Sequence, residues 1–194
     1  MERLVAPDLM REYDVGRGTF REVLQRLAST GVVTIMPNKG AQVRRLSRRE
    51  VAEVLDIVEL LLGLAARRAG SAIADPSKRK SFSEHDAALR AAPLSGDLTP
   101  FLNAREGYYR YLLELAGSHE LQRIFPTVQV HIMRLQLRMF NFAADAADLS
   151  DYTELTQAIL SGDTGRAELA GRRHVQRTIG RIQQLPDRAF ESDE

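Results

Sequence analysis

Over the first thirty residues the apolar positions recur at helical spacing in two short blocks. Pro7 suits the first turn of a helix, where its missing N–H costs nothing, and Leu9, Met10 and Tyr13 extend one face. Asp14-Val15-Gly16 breaks that pattern. Phe20, Val23, Leu24 and Leu27 then form an i, i+3, i+4, i+7 stripe, which predicts a second helix. Gly16 and Gly18 straddle its start, Thr19 is suited to its N-terminus, and Gly31 suits the left-handed cap that ends it. Arg17, Arg21, Gln25 and Arg26 lie off the stripe. The period then changes. The β-branched run 32–36 predicts a short strand, Pro37-Asn38-Lys39-Gly40 a turn, and residues 41–44 a returning strand.

From Ser47 onwards only helical periods appear. Ser47 and Glu50 have capping-box spacing, and a wide stripe follows through Val51, Val54, Leu55, Val58, Leu61, Leu62, Leu64 and Ala65. Asp75-Pro76 ends this segment. Further helices are predicted over 77–91, 98–116, 120–142, 152–160 and 164–184, a bundle of about six. The expected division is a winged helix-turn-helix over 1–46, an all-helical domain over 47–186, and a frayed polar tail over 187–194.

Charge sharpens this division. The 194 residues carry a net charge of +1, yet residues 1–50 hold ten Lys or Arg against six Asp or Glu, so the remainder is mildly acidic. A basic N-terminal module on an acidic body points to a polyanionic partner. A helix fits the DNA major groove with its first residues at the base edges, where arginine can bond guanine bidentately. Arg17, Thr19 and Arg21 are therefore the candidates for reading double-stranded DNA. Asn38, Lys39 and Gly40, at the tip of the hairpin wing, would add backbone contacts.

Other chemistry is sparse. The chain has no cysteine, which removes disulfides, thiolate metal sites and cysteine nucleophiles and fits a reducing cytoplasm. No apolar run approaches the roughly 18–20 residues that span a bilayer. No nucleophile–base pair, carboxylate dyad or phosphate loop is visible, so no enzymatic activity is expected. Asp145, Asp148 and Asp151 cluster in sequence, in an expected loop, without partners at metal-ligand spacing. His85 and His119 are expected at the surface.

The segment Val15-Gly16-Arg17-Gly18-Thr19-Phe20-Arg21-Glu22-Val23-Leu24, followed by Pro37-Asn38-Lys39-Gly40-Ala41, resembles the GntR family of bacterial transcription regulators. Arg17, Arg21, Glu22 and Leu24 match the family's usual V-S-R-T-P-V-R-E-A-L. Gly16, Gly18 and Thr19 depart from it, a change expected to loosen the helix start or alter the operator. Pro7 stands where relatives often carry a phosphate-contacting arginine. The family's module also begins with a further helix and strand, so Leu9, Leu24 and Leu27 are expected to be poorly covered here and DNA binding to be weak.

The order of the later helices, with Tyr108-Tyr109-Arg110-Tyr111-Leu112-Leu113-Glu114-Leu115-Ala116-Gly117-Ser118 and Ala158-Ile159-Leu160-Ser161-Gly162-Asp163, resembles the FCD effector domain of the FadR-type subgroup. Many such domains hold a divalent metal through one aspartate and three histidines. The matching positions here are Arg105, Tyr109, Tyr152 and His174. Only the last is a metal ligand of the usual kind, so no metal or other cofactor is expected. The same four groups, with Arg134 and Arg138 (and His131 three residues before Arg134), could instead bind a small carboxylate, or the tyrosines and histidine could be hydrogen-bonded core residues. Val58 and Leu62 make the expected cavity wall apolar. The resemblance implies a homodimeric, cytoplasmic, DNA-binding regulator, expected to be a repressor responsive to a small organic acid. The alternative is a helical dimerisation or ligand-binding protein whose DNA binding is weak or lost.

Overall fold

The computed structural model describes residues 3–4, 6–29, 31, 33–36, 40–94, 96–125 and 149–191. The N-terminal module contains β1 (Arg3–Leu4), α1 (Ala6–Glu12), α2 (Arg17–Ser29), β2 (Val33–Met36) and β3 (Gly40–Val43). Gly31 takes φ 74°, a left-handed value that lets the chain leave α2 and enter β2 directly. β2 and β3 pair antiparallel from Val33 with Val43 to Met36 with Gly40. The hairpin is the expected wing. β1 adds a third strand on the other side of β3, through Arg3 with Gln42 and Leu4 with Ala41. Two residues carry too little alternation for such a strand to be seen in sequence.

The expectation for Thr19 needs correcting. The Phe20 N–H donates to the Gly16 carbonyl at 2.9 Å, so α2 starts at Arg17 and Thr19 lies inside its first turn, not at its cap. Leu9, Phe20, Leu24 and Leu27 are half-buried, Val23 is 47% exposed, and α2 has no buried residue.

The second part contains α3 (Arg48–Ala72), α4 (Pro76–Ala91), α5 (Thr99–Leu115), α6 (His119–Ile124), α7 (Ser150–Leu160) and α8 (Thr164–Gln183). Its helix starts follow capping chemistry. Ser47 and Glu50 form the complete reciprocal box, Asp75 accepts from Ser77 and Lys78 with Pro76 in the first turn, and Asp163 accepts from Arg166. The part of the expected 120–142 helix beyond residue 125 lies outside the described residues.

α8 packs antiparallel along α3 and forms the spine of the bundle, with α5 and α7 against the same core. Small residues set the spacing of this pair. A Cβ on Gly171 would stand 2.9 Å from the Leu62 carbonyl oxygen and 3.1 Å from both Ala66 Cβ and Gly63 Cα. With Ala66, Ala167 and Ala170 beside it, the contact is backbone against backbone. Leu62, Phe82, Phe101, Tyr108, Leu112, Leu155 and Ile159 fill the interior. Among the described residues no helix is long and apolar enough to cross a membrane.

The expectation of a frayed tail fails for residues 187–191. Asp187–Ala189 is a turn of 3₁₀ helix, Ala189 and Phe190 are buried, and the Glu191 N–H donates to the Leu46 carbonyl at 3.1 Å. Sequence composition concealed this because two apolar residues anchor an otherwise polar stretch.

Candidate functional site

On α2, successive residues turn by about 100°, so Arg17, Arg21 and Gln25 form one exposed row while Thr19 stands about 160° round from Arg21. Thr19 instead shares the opposite side with Glu22 and Arg26, which line an open groove with Val23, Gln25 and Ser29. Gly40 is exposed at the start of β3 with φ 87°. Asn38 and Lys39 lie outside the described residues.

In the helical domain, the four positions singled out by the resemblance meet. Arg105 and Tyr109 come from successive turns of α5, Tyr152 from the first turn of α7, and His174 from the middle of α8. Arg105 Nε donates to the Tyr152 hydroxyl at 2.6 Å. The Tyr109 hydroxyl lies 2.6 Å from His174 Nε2 and 3.4 Å from the Tyr152 hydroxyl. The Arg105 guanidinium also sits 5.0 Å from the centre of the Tyr109 ring. Tyr152 meets the His174 ring edge-on, with 4.7 Å between centroids. Arg134, Arg138 and His131 lie outside the described residues.

The electrostatics of the cluster follow from burial. Desolvation, with the Arg105 charge second, pushes the His174 pKa down to about 4, against a smaller upward pull from the Asp151 carboxylate. His174 is therefore neutral near pH 7. A neutral ring that accepts the Tyr109 proton at Nε2 carries its own proton on Nδ1. For Arg105, burial opposes the charge, but the hydroxyls of Tyr152 and Tyr109 outweigh it and hold the pKa above its usual value. The cluster thus carries one permanent cation, two phenols and a neutral imidazole.

Two networks fix its walls. Thr156 donates to Asp86 at 2.8 Å, so the buried Tyr108 hydroxyl donates to Thr156 at 2.9 Å, and Arg90 grips both Asp86 oxygens at 2.7 and 2.9 Å. This ties α4, α5 and α7 together directly behind Tyr109 and Tyr152. On the other side, Asp151 is 3% exposed and receives Arg177 at 2.7 Å and Arg181 at 2.8 Å. Arg177 also bonds Glu154 at 2.6 Å. Asp151 was expected in a loop. It lies in the first turn of α7, where a carboxylate suits the helix dipole. Sequence reading missed this anchor, although arginines four apart on α8 were the available signal. Asp145 and Asp148 lie outside the described residues.

Among the described residues, no three His, Cys, Asp or Glu side chains are placed to hold a metal ion. Where a metal would sit in relatives of the usual pattern, a guanidinium and two phenols stand, and a cation opposes a cation. His119 is exposed. His85 is half-buried, stacked on Tyr111 at 4.6 Å and bonded to the Ser81 carbonyl. Val58 and Leu62 both pack in the helical core, Leu62 fully buried.

A wing beside a two-helix reader, joined to a helical bundle with a polar cluster at its centre, defines a regulator with separate DNA-binding and effector-binding parts. The model "Bacterial regulatory proteins, gntR family" matches residues 2–43, and the "FCD domain" model matches residues 53–177. The chain belongs to the GntR family of transcription regulators, in the subgroup with a C-terminal FCD domain. It is 25% identical over 193 residues to the HTH-type transcriptional repressor GlaR of Escherichia coli (strain K12), covering 94% of this chain and 87% of that protein. An HTH-type transcriptional regulator from an unstable DNA locus of Streptomyces ambofaciens is 25% identical over 179 residues, covering 92% and 75%. The fold matches that of E. coli McbR/YncC with a TM-score of 0.79 at 20% identity, over 94% of this chain and 87% of that one.

Proposed function

We propose that this regulator is a homodimeric repressor of the bacterial cytoplasm, with no enzymatic activity of its own, that releases its operator when a small organic acid seats against Arg105. The observation that carries the reading is the convergence of Arg105, Tyr109, Tyr152 and His174 within hydrogen-bonding reach inside the bundle. A guanidinium has five donors in a planar fork that matches a carboxylate. Nε serves Tyr152 and a further hydrogen bond goes to Tyr109, and the remaining N–H donors of the fork are those a carboxylate would take. The two phenol hydroxyls would donate its remaining hydrogen bonds, with the His174 ring packed beside them. The protein cation thereby takes the place of a metal, and the apolar wall at Leu62 favours an acid with a hydrocarbon portion.

On DNA, the row of Arg17 and Arg21 enters the major groove. Asn38, Lys39 and Gly40 contact the backbone beside it, while Thr19, on the opposite side of α2, faces away from that groove. Two copies in a dimer would place two such helices on a palindrome. Repression is the role named for GlaR and is carried here as part of the proposal.

Fluorescence anisotropy with a fragment of the regulator's own promoter, titrated across salt, tests the DNA half. Affinity falls steeply as salt rises, and Arg17→Ala weakens binding by about tenfold, from the ~1–3 kcal/mol of one bidentate base contact. Equal binding by the wild type and Arg17→Ala removes that residue from the reading. Salt-insensitive or absent binding favours a helical ligand-binding protein that does not use DNA.

A further inference from the structure

The linker between the two domains is bound at every residue, and most of its partners are the last turn of α8 and the segment after it. Arg44 pairs with Glu50, whose other oxygen closes the Ser47 capping box. Arg45 donates to the Arg188 carbonyl at 2.7 Å and the Phe190 carbonyl at 3.1 Å. Leu46 is 1% exposed, and its carbonyl accepts the Glu191 N–H. Arg48 is the hub. It donates to the carbonyls of Gln183 at 3.1 Å and Leu185 at 2.8 Å and to Asp187 at 2.9 Å. Its guanidinium also lies 4.2 Å from the centre of the Phe190 ring.

These contacts have a mechanical consequence. Arg48 satisfies carbonyls at the C-terminus of α8, groups that no residue within the helix can pair, and it complements the negative end of the dipole. The same helix carries His174, nine residues and about 14 Å upstream of Gln183. A group entering between Tyr109 and His174 must displace their 2.6 Å contact, and α8 is a rigid element that carries any resulting shift to its end. Backbone contact with α3 at Gly171 limits motion toward that helix, leaving sliding or rotation.

We propose that residues 182–191 form a strap that couples displacement of α8 to the linker at 44–48, and so to the orientation of the DNA-binding module. The proposal rests on the effector reading above for what displaces α8. Among the described residues, the strap is where the C-terminal end of the effector domain grips the chain leaving the wing. Phe190 acts as its buried peg, and Arg48 as the joint shared by helix end, strap and linker.

Amide hydrogen exchange on the full chain tests this without any effector. Phe190→Ala and, separately, the milder Arg45→Met are expected to speed exchange at amides 44–50 by about tenfold, while amides 58–66 in the middle of α3 are unchanged. Tyr109→Phe then serves as the perturbation at the cluster. It is expected to alter exchange at 44–50 in the wild-type background and to lose that effect in either strap variant. Unchanged exchange at 44–50 in both strap variants overturns the proposal. So does a Tyr109→Phe effect that is absent with the strap intact, or equal with and without it. Failure of organic acids to bind the wild type overturns the effector reading alone, because no step of the exchange experiment uses an acid.

Discussion

The Tyr109 hydroxyl and His174 Nε2 lie 2.6 Å apart in the centre of the bundle, joining α5 to α8 through one buried hydrogen bond. A proton given by Tyr109 to Nε2 needs a neutral ring, and burial beside Arg105 keeps the imidazole neutral. An ordinary surface histidine would be partly charged near pH 6.

That difference makes stability depend on pH. The His174 pKa is about 4 in the folded state and 6.5 in the open chain, so between these values the unfolded state binds a proton that the folded state refuses. Stability from this group is fully present above pH 6.5 and is lost as pH falls toward 4, by on the order of 3 kcal/mol. Urea unfolding at pH 7.5, 6 and 4.5 is expected to show this loss, and His174→Gln is expected to flatten it by the same share. An unchanged slope in His174→Gln would assign the acid sensitivity to other groups.

Asp151 is buried while Arg177 is 44% exposed, so the two ends of their ion pair have unequal worth. Asp151→Ala leaves Arg177 and Arg181 facing a vacated site and is expected to cost about 2–4 kcal/mol, near the lower end for breaking a buried pair. Arg177→Ala leaves Arg181 on the carboxylate and is expected to cost about 1 kcal/mol or less. Chemical denaturation of both variants gives the ratio, and equal losses would contradict the asymmetry.

Glycines nine residues apart on α8 should respond in opposite directions. Gly171→Ala forces a Cβ to within 2.9 Å of the Leu62 carbonyl and is expected to destabilise by about 1–3 kcal/mol. Gly180 has no atom within 4 Å of the same position, so Gly180→Ala is expected to stabilise by about 0.5–1 kcal/mol through helix propensity. A shared sign in thermal unfolding would contradict the backbone packing of α3 on α8.

What was legible in the sequence divides along physical lines. The helix start at Ser47 could be read directly because its capping box with Glu50 is a local signal, whereas Asp75 and Asp163 emerge as caps only in the structure. The wing could be read from a change of period between Leu27 and Val33. The meeting of Arg105, Tyr109, Tyr152 and His174 could not come from spacing, since forty-three or more residues separate Tyr109 from its partners on α7 and α8. It came from resemblance to the FCD domain, and the hydrogen bonds are in agreement with it. The misses share a cause. β1, the burial of Phe190 and the twin arginine grip on Asp151 each depend on one or two residues meeting a distant segment. Such contacts leave no period in the chain.

The claim that a guanidinium replaces a metal in this FCD domain is tested most directly by a thermal-shift screen of small carboxylic acids in the presence of EDTA. Wild-type protein and Arg105→Met are to be compared. A rise in Tm with an acid that survives EDTA and disappears in Arg105→Met is the predicted result. A rise that appears with Zn²⁺ or Ni²⁺, is abolished by EDTA and is lost in His174→Ala would contradict it.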